Sequence, residues 1–205
     1  MDKEQQTNFI RIAGTVKGET RADHVLYGET FYLSHIEVIR LSGVKDTLPL
    51  LIPERLLETM PEEGDAVEIA GQIRSYNKRG ESGSRLMVTV FARSFVTVSP
   101  EYLVPCNEVS LCGFLCKDAN YRTTPFQREI ADMLLAVNRS YHKSDYLPCI
   151  AWGRNARFAQ GIGVGTQLQI TGRLQSRNYQ KSMPDGSVQE RTTYEVSCSS
   201  IEPVP

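Results

Sequence analysis

Tyr141, Tyr146, Trp152 and Tyr179 share one stretch of the chain with Arg154, Arg173 and Arg177. Flat aromatic faces accept any nucleobase by stacking, while guanidinium groups follow phosphates or stack as planar cations. Tyr146 and Trp152 are six residues apart, an even spacing that puts both on one face of a regular strand. Read singly, each ring has an ordinary place in a core and each arginine an ordinary place in water. Their joint placement on neighbouring strands suits a single strand of nucleic acid, whose bases can splay onto a protein surface.

The elements that must carry these residues are strands. From Leu168 the chain alternates, with Leu168, Ile170, Gly172 and Leu174 on one side and Gln169, Thr171, Arg173, Gln175, Arg177 and Tyr179 on the other. A half-buried strand hides one side and wets the other. Before it come strand-like stretches "EVSLCGFL", "DMLLAVNRSY" and "YLPCIAW" and a short helical piece, "RNARFAQ"; Pro184-Asp185-Gly186 then marks a hairpin into "RTTYEVSCSS". Three strands, a helix and two more strands is the order of an OB-fold; an SH3-like barrel shares the pattern.

The chain repeats itself. Asn8 and Gly14 recur as Asn107 and Gly113, and Leu48-Pro49 as Leu147-Pro148, each 99 positions on. Val67, Ile69, Gly71 and Ile73 lie over Leu168, Ile170, Gly172 and Leu174 at an offset of 101. The expectation is an all-β chain with short helices, built as two tandem OB-fold five-stranded Greek-key barrels, 1–104 and 105–205, joined near Pro100 and Pro105. "PERLLETM" occupies the helical slot of the first half, with Pro53 at its first turn.

Formal net charge is -1, but its distribution is uneven. Residues 1–106 carry 12 basic and 15 acidic side chains (-3), and residues 107–205 carry 11 and 9 (+2). Five cysteines and no export-like start point to reduced thiols in a cytoplasmic protein, and no apolar run reaches the roughly 20 residues of a membrane helix. Cys112 and Cys116 are expected in the core and not on a metal. His24, His35 and His142 belong to no metal or protease motif, Asp145 has no evident acid–base partner, and no phosphate-loop or dinucleotide fingerprint occurs. Neither catalysis nor a cofactor is expected.

"LLAVNRSY", "DYLPCIAWGRNA", "GRLQSRNY" and "DGSVQERTTYEV" resemble, in order, the corresponding blocks of bacterial and phage single-stranded DNA-binding proteins. The resemblance covers nearly all of 107–202. It implies an OB-fold, sequence-tolerant binding of single-stranded DNA, nucleoid association and four OB-folds per assembly, which for this chain means a homodimer. Carried over by position, base stacking falls on Tyr141, Tyr146, Trp152 and Tyr179, and phosphate contact on Arg154 and Arg177; Arg173 joins them by strand parity. In the first half Ser42, Thr47 and Pro53 stand opposite Tyr141, Tyr146 and Trp152, and Lys78 opposite Tyr179. Arg74, Tyr76 and Lys78 remain there as auxiliary contacts, on a half that is either a weak binder or mainly a scaffold. The chain closes on "SSIEPVP", so recruitment of partners through an acidic tail is not expected. A primosome-type adaptor and a single-stranded RNA binder stay open as alternatives.

Overall fold

The computed structural model describes residues 7–80, 83–182 and 186–204. Its strands are β1 (Asn8–Val16), β2 (Arg21–Leu26), β3 (Glu29–Ile39), β4 (Lys45–Pro53), β5 (Ala66–Gly80) and β6 (Gly83–Val98) in the first half. The second half repeats the series as β7 (Cys106–Leu115), β8 (Asn120–Thr123), β9 (Glu129–Arg139), β10 (Lys143–Trp152), β11 (Gln167–Ser182) and β12 (Val188–Pro203). A helix, α1 (Arg154–Gln160), sits between β10 and β11 and buries Ala156 and Ala159. Among the described residues no helix is long and apolar enough to cross a membrane.

Hydrogen bonding links the strands in the order β2-β3-β4-β6-β5-β1-β7-β11-β12-β10-β9-β8, and the extra pairings β1–β3 and β7–β9 close each half into a barrel. Beyond the five strands expected, each half has a short additional one, β2 or β8, in a hairpin with its successor. The hairpin expected at Pro184-Asp185-Gly186 falls largely outside the described residues, although β11 and β12 pair up to Ser182 and Val188 on either side of it. "PERLLETM" forms only a one-turn 3-10 segment, Glu54–Leu56, after Pro53. Its backbone returns to an extended conformation at Leu57, so no longer helix is built.

The repeat has a physical cause at each recurring position. Asn8 accepts the Ile73 N–H and donates to the Ile73 carbonyl, both at 2.8 Å. Asn107 does the same with Leu174, at 2.9 and 2.7 Å. Each asparagine side chain thus acts as a local strand partner and ties the first strand of its barrel to the fourth principal one. Gly14 and Gly113 lie where the barrel closes. A Cβ on Gly14 would stand 2.2 Å from the Glu37 carbonyl oxygen, and one on Gly113 2.5 Å from that of Ala136.

The two barrels meet through β1 and β7, which pair antiparallel with Ile10 opposite Val109. Val109 is the repeat counterpart of Ile10, so a local two-fold axis runs through this pair. Around it the barrels clasp each other symmetrically. Asp46 of β4 is fully buried and accepts hydrogen bonds from Ser176 N and Oγ of β11, at 2.7 and 2.8 Å. Its counterpart Asp145 of β10 is also fully buried and accepts from Ser75 N of β5 at 2.8 Å and from Arg74 at 3.0 Å. Ser75 Oγ in turn accepts the Tyr146 N–H at 2.7 Å. Asp145, for which the sequence offered no evident partner, is a buried clasp between the halves.

Cys112 and Cys116 also differ from expectation. Both are half-buried, because Leu111, Gly113 and Leu115 take the inward positions of β7. Cys149 and Cys198 are the fully buried thiols.

Candidate nucleic-acid interface

β10 delivers Trp152 to the surface by alternation. Leu147, Cys149 and Ala151 face the core, while Tyr146 and Trp152 point outward, 47% and 38% exposed. Gly153 follows with φ 52°, which turns the chain out of β10 into α1 directly beyond the indole. Trp152 borders a groove of about 850 Å³ on the second barrel, together with Arg173 and Arg177 of β11. These three expected residues do come together.

The other expected residues lie elsewhere on the same half. Tyr141 stands in the turn beyond the end of β9, left-handed at φ 62° and 91% exposed, in a separate shallow hollow with His142 and Lys143. Tyr146 faces the seam, held by its backbone against Ser75 of the first barrel. Tyr179 is half-buried on the β11–β12 arm, opposite Arg191. Arg154 opens α1 and borders a smaller hollow that shares Ser199 with the main groove.

Three further cations line the Trp152 groove. Arg122 and Arg128 come from the β8–β9 hairpin, and Arg40 comes from the first barrel. Five arginines therefore face one carboxylate, Glu195. Glu195 is nearly buried, pairs with Arg177 at 3.2 Å and accepts from Gln175 at 3.0 Å, which fixes the Arg177 fork over the strand. Arg122 pairs with Asp132 at 2.9 Å. Burial, and then the nearby charge of Arg40, push the Arg173 guanidinium below its ordinary pKa. A groove lined by several like charges has the field to attract an anion.

The first barrel has a groove of its own, of about 790 Å³, and it contains Arg74, Tyr76 and Lys78 as the β5 pattern suggested. Arg21, Arg55, Arg93 and Arg139 join them, so six cations face one carboxylate, Asp23. The Arg93 and Arg74 guanidinium carbons stand 5.7 and 6.0 Å from the Phe91 ring centroid. Where the second barrel offers an exposed indole, this one covers its ring with cations. His24 is likewise occupied, stacked on Phe31 at 4.9 Å and bonded to Asp23 at 2.7 Å. Burial, with Arg21 adding to it, lowers the pKa of His35. The sequence had offered only Arg74, Tyr76 and Lys78 here; the further cations come from other elements and from the other barrel.

The model of the Single-strand binding protein family matches residues 106–204. A "Single-stranded DNA-binding protein 2" of Streptococcus pyogenes serotype M18 is 38% identical over 81 residues, covering 36% of this chain and 50% of that protein. "Single-stranded DNA-binding protein 1" of Staphylococcus aureus strain COL is also 38% identical over 81 residues, with 36% and 48% covered. The chain thus spans about half the length of the curated relatives it matches. In structure it is similar to the wild-type single-stranded DNA binding protein of Thermus aquaticus, with a TM-score of 0.75 and 21% identity, over 97% of this chain and 93% of that one. That likeness concerns the fold, and it extends to both barrels. The second half of the chain thus matches the single-strand binding protein family model, and the whole chain has the fold of two tandem OB-folds.

Proposed function

We propose that the protein binds single-stranded DNA without reading its sequence, coating the strand during replication, recombination or repair. The observation that carries this is the exposed Trp152 indole beside Arg122, Arg128, Arg173 and Arg177 in one open groove. Bases stack on the indole and the arginines hold phosphates. Tyr146, Tyr141 and Tyr179 lie along the same half and extend the path beyond the groove, and Arg154 guards the edge near α1. Residues 1–104 and 105–205 act as two units, the second as the principal site. The first contributes through Arg74, Tyr76 and Lys78, holding phosphates more than bases because arginines already cover Phe91. The reading includes no catalysis.

Two chains would form a homodimer with four OB-folds. An outer sheet surface with Phe9, Val96 and Phe114 exposed supports this, since it offers apolar area near the two-fold seam. Light scattering at working concentration should give the mass of two chains.

Trp152 is the single tryptophan, so its fluorescence reports on the site directly. Titration with oligo-dT should quench it, with affinity falling as salt rises. Unchanged emission at saturating oligo-dT would remove Trp152 from the interface. Competition with oligo-U and duplex DNA would show whether the single-stranded DNA reading stands.

A further inference from the structure

We propose that the groove of the second barrel is a composite site in which Arg40, a residue of the first barrel, supplies a phosphate contact, and that Arg139 does the same in the opposite groove. The proposal rests on the single-stranded DNA reading above and deepens it.

Arg40 follows β3, yet its side chain crosses the seam. Nη2 donates to the Ser176 carbonyl at 3.0 Å and lies in the groove that holds Trp152, Arg173 and Arg177. Its geometry is fixed from behind. Nε and Nη2 bind the two oxygens of buried Asp46, both at 2.6 Å, and Asp46 is in turn held by Ser176. Nη1, which carries two N–H groups, makes no hydrogen bond among the described residues. A planar fork with one edge clamped and one nitrogen open is pre-organised for a phosphate oxygen, whose binding then costs little side-chain entropy.

The two-fold axis supplies an independent second case. Arg139 is the repeat counterpart of Arg40 and comes from the second barrel, but it lines the groove of the first. Its Nη1 is 3.6 Å from Asp145, and its Nε is a buried donor with no hydrogen-bond partner among the described residues. An unsatisfied buried N–H is uncommon and costly, so a phosphate that draws the guanidinium out toward the groove relieves that cost. Each barrel thus lends an arginine to the other's groove, and each loan is secured by a buried aspartate.

The test measures oligo-dT affinity of the full chain across a salt series, by anisotropy of a labelled strand and by Trp152 quenching. Arg40→Gln should weaken binding about tenfold, the scale of one charge-assisted contact, and reduce the slope of log K against log salt by about 0.7. Arg40→Lys should keep the slope. Arg157→Gln, which removes an exposed charge from α1 outside both grooves, should change neither. A role confined to the seam would lower the thermal midpoint of Arg40→Gln while leaving the slope at its wild-type value, and that result overturns the proposal. Arg139→Gln gives the same slope test from the other groove and decides the matter if Arg40→Gln does not fold. A wild-type chain that fails to bind oligo-dT sinks the single-stranded DNA reading itself; a wild type that binds, with both variants showing its slope, sinks only the exchange of arginines.

Discussion

Replacing Asp145 by alanine tests the clasp between the barrels. The carboxylate is fully buried and accepts from Ser75 N at 2.8 Å and Arg74 at 3.0 Å, with Arg139 at 3.6 Å. Hydrogen bonds to a charged acceptor contribute about 1.5–3 kcal/mol each, and removal leaves the donors stranded. Arg74 and Arg139 are 16% and 29% exposed, so both can turn partly to water, which argues for the low end of that range. Two such bonds then give a loss of about 3 kcal/mol. With a urea m-value near 3 kcal/mol/M, the upper end for small proteins and suited to this length, the midpoint should fall by about 1 M. The assay is urea unfolding followed by Trp152 fluorescence and by circular dichroism. Asp145→Asn keeps an acceptor for Ser75 and should fall between wild type and alanine. A midpoint shift below about 0.3 M for alanine would mean that water already reaches the clasp, and the barrels would not be locked as described.

Other outcomes follow from the same geometry. Trp152→Ala should cost about 1–3 kcal/mol of oligo-dT binding, measured by anisotropy. Burial pushes the Asp46 carboxyl up, but the Arg40 guanidinium and the Ser176 donors outweigh it and hold the carboxyl below its ordinary value. Its stabilising contribution is therefore present above the usual carboxylate pKa of about 3.9 and is lost as pH falls through the lower folded value. Acid unfolding of Asp46→Asn should lack that component, and an unchanged acid limb would count against the assignment. Gly14→Ala and Gly113→Ala force a methyl against the Glu37 and Ala136 carbonyls and should destabilise by about 2 kcal/mol, read as a lower urea midpoint.

The repeat was legible because it records local necessities. Asn8 and Asn107 each satisfy a neighbouring strand's backbone, and Gly14 and Gly113 each sit where backbone approaches side-chain space, so the same residue types reappear at a fixed offset. Strand parity likewise put Trp152, Arg173 and Arg177 on outward faces, since alternation is a property of one strand. The rest of the groove was not readable that way. Arg122 and Arg128 enter from a hairpin, and Arg40 from another barrel, so only the tertiary structure brings them to Trp152. The repeat did carry a hint, for Arg40 and Asp46 recur 99 positions later as Arg139 and Asp145. Charged pairs of that kind read as solvated surface until their burial is known. Tyr141 illustrates the opposite error: β9 ends at Arg139, so a ring expected at the close of a strand stands instead in a left-handed turn.

The axis through Ile10 and Val109 relates the backbones and the clasp residues, but not every side chain of the two grooves. In an assembly of identical subunits every substitution is copied to all grooves at once; here each groove can vary alone. The bulged position of β6 holds Arg93 where β12 holds Ser199, and Thr89 stands where the other half has Glu195. Joining the two barrels in one polypeptide thus lets the two grooves present different side chains, a difference that identical single-barrel subunits cannot carry.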